Sequence, residues 1–256
     1  MIRHGARTAA LLASFGATRA VATGLRSRLP GGSPRWERTN YAGRTVDLCA
    51  GPAATVGAAV GAVAGTLPPR ARGAATLAVL TAGACGAYDD TAGAGDPRRG
   101  FRAHLRALGH GEITSGTVKL LGIGAAGMAA GAMLKDRPVD RILAGVVVAG
   151  TAHFVNLVDV RPGRAAVAVI GLAAPGLLRR GPAGALAAAP LGAASAVVID
   201  DLAEQTMLGD AGAHALGAAL GVAVVAGNGR AGLAVHAAAV IAAAAYGDRV
   251  SRVAAG

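Results

Sequence analysis

The chain has 256 residues, of which 53% are hydrophobic and only 15% are charged, and its formal net charge is +11. A water-soluble domain usually has about a quarter of its residues charged, so this composition argues against one. The positive charge does not indicate a nucleic-acid partner, because only 3% of the residues are aromatic and able to stack on bases. The arginines lie between apolar runs, as charges that flank membrane spans do.

The apolar runs are about 17–22 residues long, the length at which a helix crosses the hydrocarbon core of a bilayer. They predict an all-α fold: a polytopic transmembrane helical bundle of about nine spans, forming one integral membrane domain over residues 1–256. Most of the apolar residues are Ala, Val and Gly, which insert weakly but let helices approach closely. The predicted spans are residues 5–24, 50–67, 72–88, 114–134, 140–158, 165–178, 183–200, 211–227 and 230–246.

Four polar segments connect these spans, at residues 25–49, 89–113, 159–164 and 201–210. With nine spans, all four lie on the same side of the membrane. That side carries a small excess of basic residues, which favours the cytoplasmic side. We therefore predict a multi-pass protein of the cytoplasmic membrane whose functional site faces the cytoplasm.

The segment after the third span begins with two adjacent aspartates, Asp89 and Asp90. Their carboxylates repel one another unless a cation or a shared proton lies between them, and oxygen ligands suit Mg²⁺. The alternative is an ordinary Asp-rich helix terminus. Lys119 lies about one turn inside the fourth span, where its ammonium group needs Asp89, Asp90 or a bound phosphate as a partner. Snorkelling of Lys119 to the interface is the alternative.

Two further segments carry polar residues at span ends. The fifth span ends with Asn156 and Asp159, followed by Arg161 and Arg164, whose guanidinium groups match phosphate oxygens. A basic loop that snorkels is the alternative. Glycines near Asp210 allow a ligand to approach the backbone, although an aspartate that opens a helix also serves as an N-cap.

Carboxylates thus follow spans three, five and seven, and alternate crossings bring these ends to one face of the membrane. Such a cluster of Asp, Asn, Lys and Arg suits a phosphate-bearing substrate that is held through Mg²⁺. The cluster is therefore predicted to be the functional site.

The order of these motifs resembles that of the polyprenyl-phosphate N-acetylhexosamine-1-phosphate transferase superfamily, which includes the phospho-N-acetylmuramoyl-pentapeptide transferases. The resemblance extends from Asn40 to the end of the chain. The matching segments are Asn40–Gly43, Gly86–Asp90, Thr114–Leu120, Asn156–Asp159 and Leu208–Gly212.

The resemblance implies that sugar-1-phosphate moves from a nucleoside-diphosphate sugar, usually UDP-linked, to a polyprenyl phosphate lipid carrier, with release of the nucleoside monophosphate. It implies Mg²⁺ as the cofactor, with Mn²⁺ as a substitute, held by Asp210 and Asp90. Because the nucleophile is already an anionic phosphate, catalysis needs charge neutralisation and alignment more than a strong base. The implied catalytic residues are Asp89, Asp90 and Asp210, and the implied substrate-binding residues are Asn40, Lys119, Asn156, Asp159, Arg161, Arg164 and His214.

The chain departs from the family pattern in three places. Arg161 and Arg164 lie where the family has a second aspartate, and His214 lies near a position where many members have a serine. No segment after the ninth span matches the family's His-containing loop for the sugar, so the sugar is left unassigned.

Two other functions compete with this hypothesis. The first is a catalytically degenerate family member that binds the lipid carrier or acts as a scaffold. The second is a transporter, which would place its carboxylates at helix breaks near the middle of the membrane rather than at span ends. Small-residue helix faces allow the packing of a homodimer, but they also explain packing within one chain. Membrane lipids are expected as further partners.

Overall fold

The computed structural model describes residues 2–93, 98 and 101–256, and part of the predicted polar segment 89–113 lies outside this described portion. Helices make up most of the described chain, which confirms the all-α class. The elements are α1 (Ile2–Arg28), α2 (Ser33–Trp36), β1 (Glu37–Thr39), β2 (Thr45–Asp47), α3 (Ala50–Ala64), α4 (Pro69–Ala92), α5 (Phe101–Gly109), α6 (Ser115–Leu134), α7 (Pro138–Val158), α8 (Arg164–Ala173), a 3-10 helix (Ala174–Leu178), α9 (Pro182–Leu202), α10 (Gly209–Gly227), α11 (Arg230–Ala245) and α12 (Gly247–Ala255).

Four of the described helices, α6, α7, α9 and α10, are long and apolar enough to cross a membrane. A fifth crossing results if α11 and α12, which meet at an angle of 81°, count as one span. Large apolar side chains such as Leu121, Ile142, Val167, Ile199 and Val235 point away from the protein. An apolar surface of this kind indicates a membrane-embedded protein. Each of the nine predicted spans coincides with a helix, but the count of nine crossings stays a prediction.

Helix α10 lies at the centre of the bundle and packs against α3, α4, α7 and α9. Small residues permit this arrangement, because neighbouring backbones come very close together. A Cβ atom at Gly86 of α4 would overlap the carbonyl oxygen of Asp210, and one at Gly51 of α3 would overlap that of Leu208. The start of α10 is therefore held between two glycine faces.

The short hairpin of β1 and β2 holds the segment that leads into α10. Asp47, at the end of β2, accepts a hydrogen bond from the Thr206 hydroxyl at 2.7 Å, and its backbone oxygen accepts from the N–H of Met207 at 2.9 Å. Arg26 of α1 also donates to the Asp47 carboxylate at 2.9 Å. The N-terminal part of the chain thus fixes the approach to α10 through one aspartate.

Candidate functional site

The C-terminal end of α4 and the N-terminal ends of α6 and α10 meet at Lys119. Its Nζ atom donates to Oδ2 of Asp89 at 2.5 Å and also to Oδ2 of Asp210. Only 17% of the Lys119 side chain, 17% of Asp89 and 25% of Asp210 are exposed. The ammonium group therefore lies between two largely buried carboxylates, and of the two aspartates predicted as its partners it contacts Asp89.

Asp90 has a different role from its neighbour in the sequence. Its Oδ1 atom accepts the backbone N–H of Asp210 at 2.9 Å, and its Oδ2 atom accepts that of Ala211 at 3.0 Å. These N–H groups belong to the first turn of α10, whose N-cap is Leu208 and has no side-chain hydrogen bond. Asp90 of α4 thus satisfies the N-terminus of another helix, where a negative charge is favourable. The side chain of Asp210 remains directed at Lys119.

A cavity of about 300 Å³ lies beside Lys119. Its wall is formed by α6 and α7, with contributions from α5, α10 and α12. The predicted residues Asn156 and His214 both line it. Other polar residues in the wall are His104, His153 and Ser251.

The sequence analysis did not identify His104, His153 or Ser251. His104 belongs to α5, a helix within the segment that was predicted only as a polar loop, and Ser251 belongs to α12, which follows the last predicted span. A histidine on an otherwise amphipathic stretch was the only signal for His104. Its position beside Lys119 depends on how α5 packs on α6, which is a tertiary contact.

A second, smaller cavity of about 50 Å³ contains three of the predicted substrate-binding residues, Asn40, Asp159 and Arg161. The Arg161 guanidinium lies 4.9 Å from the centre of the Tyr41 ring. Asn40 has a local structural role as well, since its Oδ1 atom accepts the backbone N–H of Arg44 at 2.9 Å and closes the hairpin turn. The amide of Asn40 therefore fixes one wall of this cavity.

Asp159 lies just beyond the end of α7, close to several other carboxylates. Burial raises its pKa well above the usual range of a carboxyl group, and the charges of Asp201, Asp210 and Asp90 raise it further. The small cavity that Asp159 lines and the main cavity beside Lys119 share no lining residue.

The two predicted arginines do not reach the main cavity. Arg161 lines the small cavity, and Arg164 is exposed at the start of α8. The acidic segment before α10 is largely paired: Asp200 accepts from Arg19 at 2.9 Å and from Arg26 at 3.1 Å. The structure thus places Lys119, Asn156 and His214 in the wall of one cavity, with Asp89 and Asp210 in contact with Lys119, while neither arginine lines that cavity.

The carboxylates of Asp89 and Asp210 form a partial cation site. Within the described residues, no group of three or more His, Cys, Asp or Glu side chains is arranged around a single metal position. However, Mg²⁺ is often held by one or two protein carboxylates, with water and substrate phosphates as the remaining ligands. Two carboxylates that converge on one ammonium group fit that donor set, because the same space accommodates a cation.

Comparisons with known proteins give no family assignment. No protein-family model matches the chain, and no curated protein matches it. The resemblance to the polyprenyl-phosphate transferases therefore rests on the order of the motifs.

Proposed function

We propose that this protein is a Mg²⁺-dependent phosphoglycosyltransferase of the membrane. It would transfer sugar-1-phosphate from a nucleoside-diphosphate sugar, with UDP as the expected nucleotide, to a polyprenyl phosphate carrier. The observation that carries the proposal is the cluster in which Lys119 joins Asp89 and Asp210 at three helix ends, beside a cavity of about 300 Å³. A cationic side chain between two carboxylates suits phosphate and a divalent cation together.

In this proposal, Asp89 and Asp210 would hold Mg²⁺, and the bound cation would supply charge neutralisation for the pyrophosphate. Lys119 then exchanges its carboxylate partners for phosphate oxygens. An oxygen of the polyprenyl phosphate forms a bond to the phosphorus that carries the sugar. The bond from that phosphorus to the bridging oxygen breaks, and the electron pair leaves with the nucleoside monophosphate. Because the nucleophile is already an anion, the side chains mainly align the groups and screen their charges.

Asp90 has a positioning role in this proposal. The metal role predicted for it passes to Asp89, because both Asp90 oxygens accept backbone N–H groups of α10. Those two hydrogen bonds hold the backbone of Asp210 while its side chain faces the cation.

We further infer nine crossings of the cytoplasmic membrane, with this site on the cytoplasmic side. Support comes from the coincidence of all nine predicted spans with helices and from the small excess of basic residues in the connections on that side. The polyprenyl carrier would reach the site from the surrounding lipid.

One observation favours the second candidate, a non-catalytic member that binds the lipid carrier. Lys119 by itself neutralises much of the charge of Asp89 and Asp210, so the cluster is also stable as a purely structural ion pair. An activity measurement separates the two candidates.

The test uses purified protein in nanodiscs with polyprenyl phosphate, Mg²⁺ and a panel of UDP-sugars. We expect release of UMP and formation of a lipid-linked sugar with at least one donor, and loss of both in Asp210→Asn. Asp140→Asn is the matched control, because Asp140 pairs with Arg230 near the start of α7, whereas the candidate site lies near the other end of that helix. The absence of UMP release across the panel, with full complementation of a deletion by Asp210→Asn, would falsify the enzymatic proposal.

A further inference from the structure

His214 lines the main cavity, and a backbone carbonyl group determines which ring nitrogen carries the proton. Its Nδ1 atom lies 2.8 Å from the carbonyl oxygen of Asp210. A carbonyl oxygen only accepts hydrogen bonds, so Nδ1 carries the proton. The Nε2 atom of the neutral ring is therefore an acceptor. The ring is 2% exposed and lines the cavity, so this acceptor serves groups inside the cavity.

In His104, two threonine hydroxyl groups determine which ring nitrogen carries the proton. Its Nδ1 atom lies 2.9 Å from Oγ1 of Thr114, which is also 2.9 Å from Oγ1 of Thr117 and accepts the Thr117 N–H at 3.0 Å. The Thr117 hydroxyl donates to the backbone oxygen of His104 at 3.3 Å.

All four contacts are hydrogen bonds at the same time in only one arrangement of the protons. Because the Thr117 proton is used, the bond between the two hydroxyl groups takes its proton from Thr114. The Thr114 oxygen must then accept from Nδ1–H of His104, which leaves Nε2 as an acceptor. A Cβ atom at Gly116, another residue of the cavity wall, would overlap this Nε2 atom. The Nε2 atom of His104 therefore lies against the backbone of Gly116, in the wall of the cavity.

Two acceptor nitrogens thus belong to the wall of one cavity, and none of the described residues donates a hydrogen bond to either of them. A ligand that satisfies them must bring O–H or N–H donors. Phosphate oxygens are acceptors and would be repelled, whereas the hydroxyl and amide groups of a sugar are donors. Lys119, in the same wall, supplies the cation for the phosphate end of such a ligand.

We propose that this cavity is the subsite for the sugar of the donor, with Nε2 of His104 and of His214 accepting hydrogen bonds from its hydroxyl or amide groups. The proposal rests on the proposed function and deepens it, since it identifies the part of the protein that selects the sugar. It also implies that α5, the helix in the connection between α4 and α6, helps to determine which sugar is bound.

The test compares the binding of UDP-N-acetylglucosamine and three other UDP-sugars with that of UDP alone, by titration calorimetry in nanodiscs. The wild-type protein should bind at least one UDP-sugar about tenfold more tightly than UDP, the size expected for one or two hydrogen bonds. His104→Phe keeps the ring volume but removes the acceptor, and His104→Ala removes the ring. Both should abolish most of this preference and leave the affinity for UDP unchanged.

His110→Ala is the matched control. His110 follows the same helix but is exposed, and its Nδ1 atom donates locally to the backbone oxygen of Arg106 at 2.7 Å. Its removal should leave the preference for the UDP-sugar intact. Thermal unfolding of each variant establishes that it is folded. His214→Phe removes the second acceptor nitrogen and should also reduce the preference for the UDP-sugar.

The possible outcomes distinguish the proposed sugar subsite from the proposed transfer reaction. If the protein releases no UMP but loses its sugar preference in His104→Phe, the reaction is wrong and the sugar subsite holds. If turnover occurs and the donor KM is unchanged in His104→Phe and His104→Ala, the subsite is wrong and the reaction holds. Equal affinity of the wild type for UDP and every UDP-sugar also overturns the subsite. Selective loss of polyprenyl phosphate binding in His104→Phe overturns it as well and assigns the cavity to the lipid carrier.

Discussion

The carboxylate of Asp90 holds the backbone of Asp210, with 2.9 Å between its Oδ1 atom and the Asp210 nitrogen, while the side chain of Asp210 contacts Lys119. Asp90 of α4 therefore fixes the end of α10, and the side chain of Asp210 projects from that end. The adjacent Asp89 contacts Lys119 directly and has no such role.

The Asp90 hydrogen bonds predict a stability effect that is separate from metal binding. Asp90→Ala leaves two N–H groups of α10 without their acceptor and should lower the free energy of unfolding by about 1–3 kcal/mol. Asp90→Asn keeps one acceptor oxygen and should cost about half as much. Chemical unfolding followed by circular dichroism measures both effects.

Titration of the same proteins with Mg²⁺ tests the assignment of the metal ligands. Asp90→Asn should bind Mg²⁺ nearly as tightly as the wild type, and Asp89→Asn should bind it about tenfold more weakly, a difference of about 1.4 kcal/mol. If Asp90→Asn loses as much affinity as Asp89→Asn and keeps its stability, Asp90 is a ligand, as the sequence predicted.

Lys119 should become replaceable by a divalent cation. Lys119→Met leaves Asp89 and Asp210 facing each other without a counter-charge, and breaking a buried ion pair in this way costs about 3 kcal/mol. In EDTA the variant should melt well below the wild type, and millimolar Mg²⁺ should restore most of the loss. Lys135→Met is the control, since Nζ of Lys135 donates to the backbone oxygen of Asn228 at 2.7 Å, and Mg²⁺ should not change the stability of this variant. Failure of Mg²⁺ to stabilise Lys119→Met would argue against a cation site between the two carboxylates.

Asp159 should make the protein less stable as the pH rises. Its pKa is raised in the folded state by burial and by neighbouring carboxylates. The folded protein therefore binds this proton more tightly than the unfolded chain. Stability falls between the ordinary carboxyl pKa of about 4 and the raised value, and the loss is complete above the raised value.

Asp159→Asn removes this pH-dependent cost. The variant should be more stable than the wild type at pH 7, and the difference should shrink toward zero below about pH 4. Thermal unfolding over this pH range gives the comparison. A variant that is less stable than the wild type at neutral pH would show that the Asp159 carboxylate is stabilised rather than penalised in the folded protein.

Gly86 should not tolerate even one additional methyl group. Gly86→Ala would push a Cβ atom into the carbonyl group of Asp210, which is backbone and cannot move aside easily. We expect a loss of about 1–3 kcal/mol and reduced activity, because the strained contact displaces the start of α10. Gly171→Ala is the control: nothing lies within 4 Å of a Cβ at this helical position, so the higher helix propensity of alanine should leave stability equal or slightly higher. Equal stability of the two variants would contradict the close α4–α10 contact.

The positions of the helices followed from the sequence more readily than the partners of their polar residues. Long apolar runs have few structural alternatives in a membrane, so all nine predicted spans coincide with helices. The pairing of Lys119 with one of the adjacent aspartates was also accessible, because a lysine inside a span requires an anion.

The division of roles between Asp89 and Asp90 could not be read from the sequence. Neighbouring residues on a helix point about 100° apart, and which one faces α10 depends on the rotation of α4 within the bundle. The same limit applies to Arg161, whose stacking on Tyr41 depends on a hairpin more than 100 residues earlier in the chain. His104 was missed because its proposed role depends on two threonine hydroxyl groups that orient the ring.

Because small residues fill its interior, this protein should tolerate smaller side chains in the core better than larger ones. Most of the side chains that fill the core are alanine, including Ala53, Ala54 and Ala58, which are 0% exposed. Truncation at such positions deletes one methyl group, whereas enlargement meets backbone atoms that cannot yield. Leucine-rich cores behave in the opposite way, because their largest losses come from truncation. In this bundle, stabilising changes should therefore be sought at lipid-facing positions such as Ile199 and Val235, where side chains have room to grow.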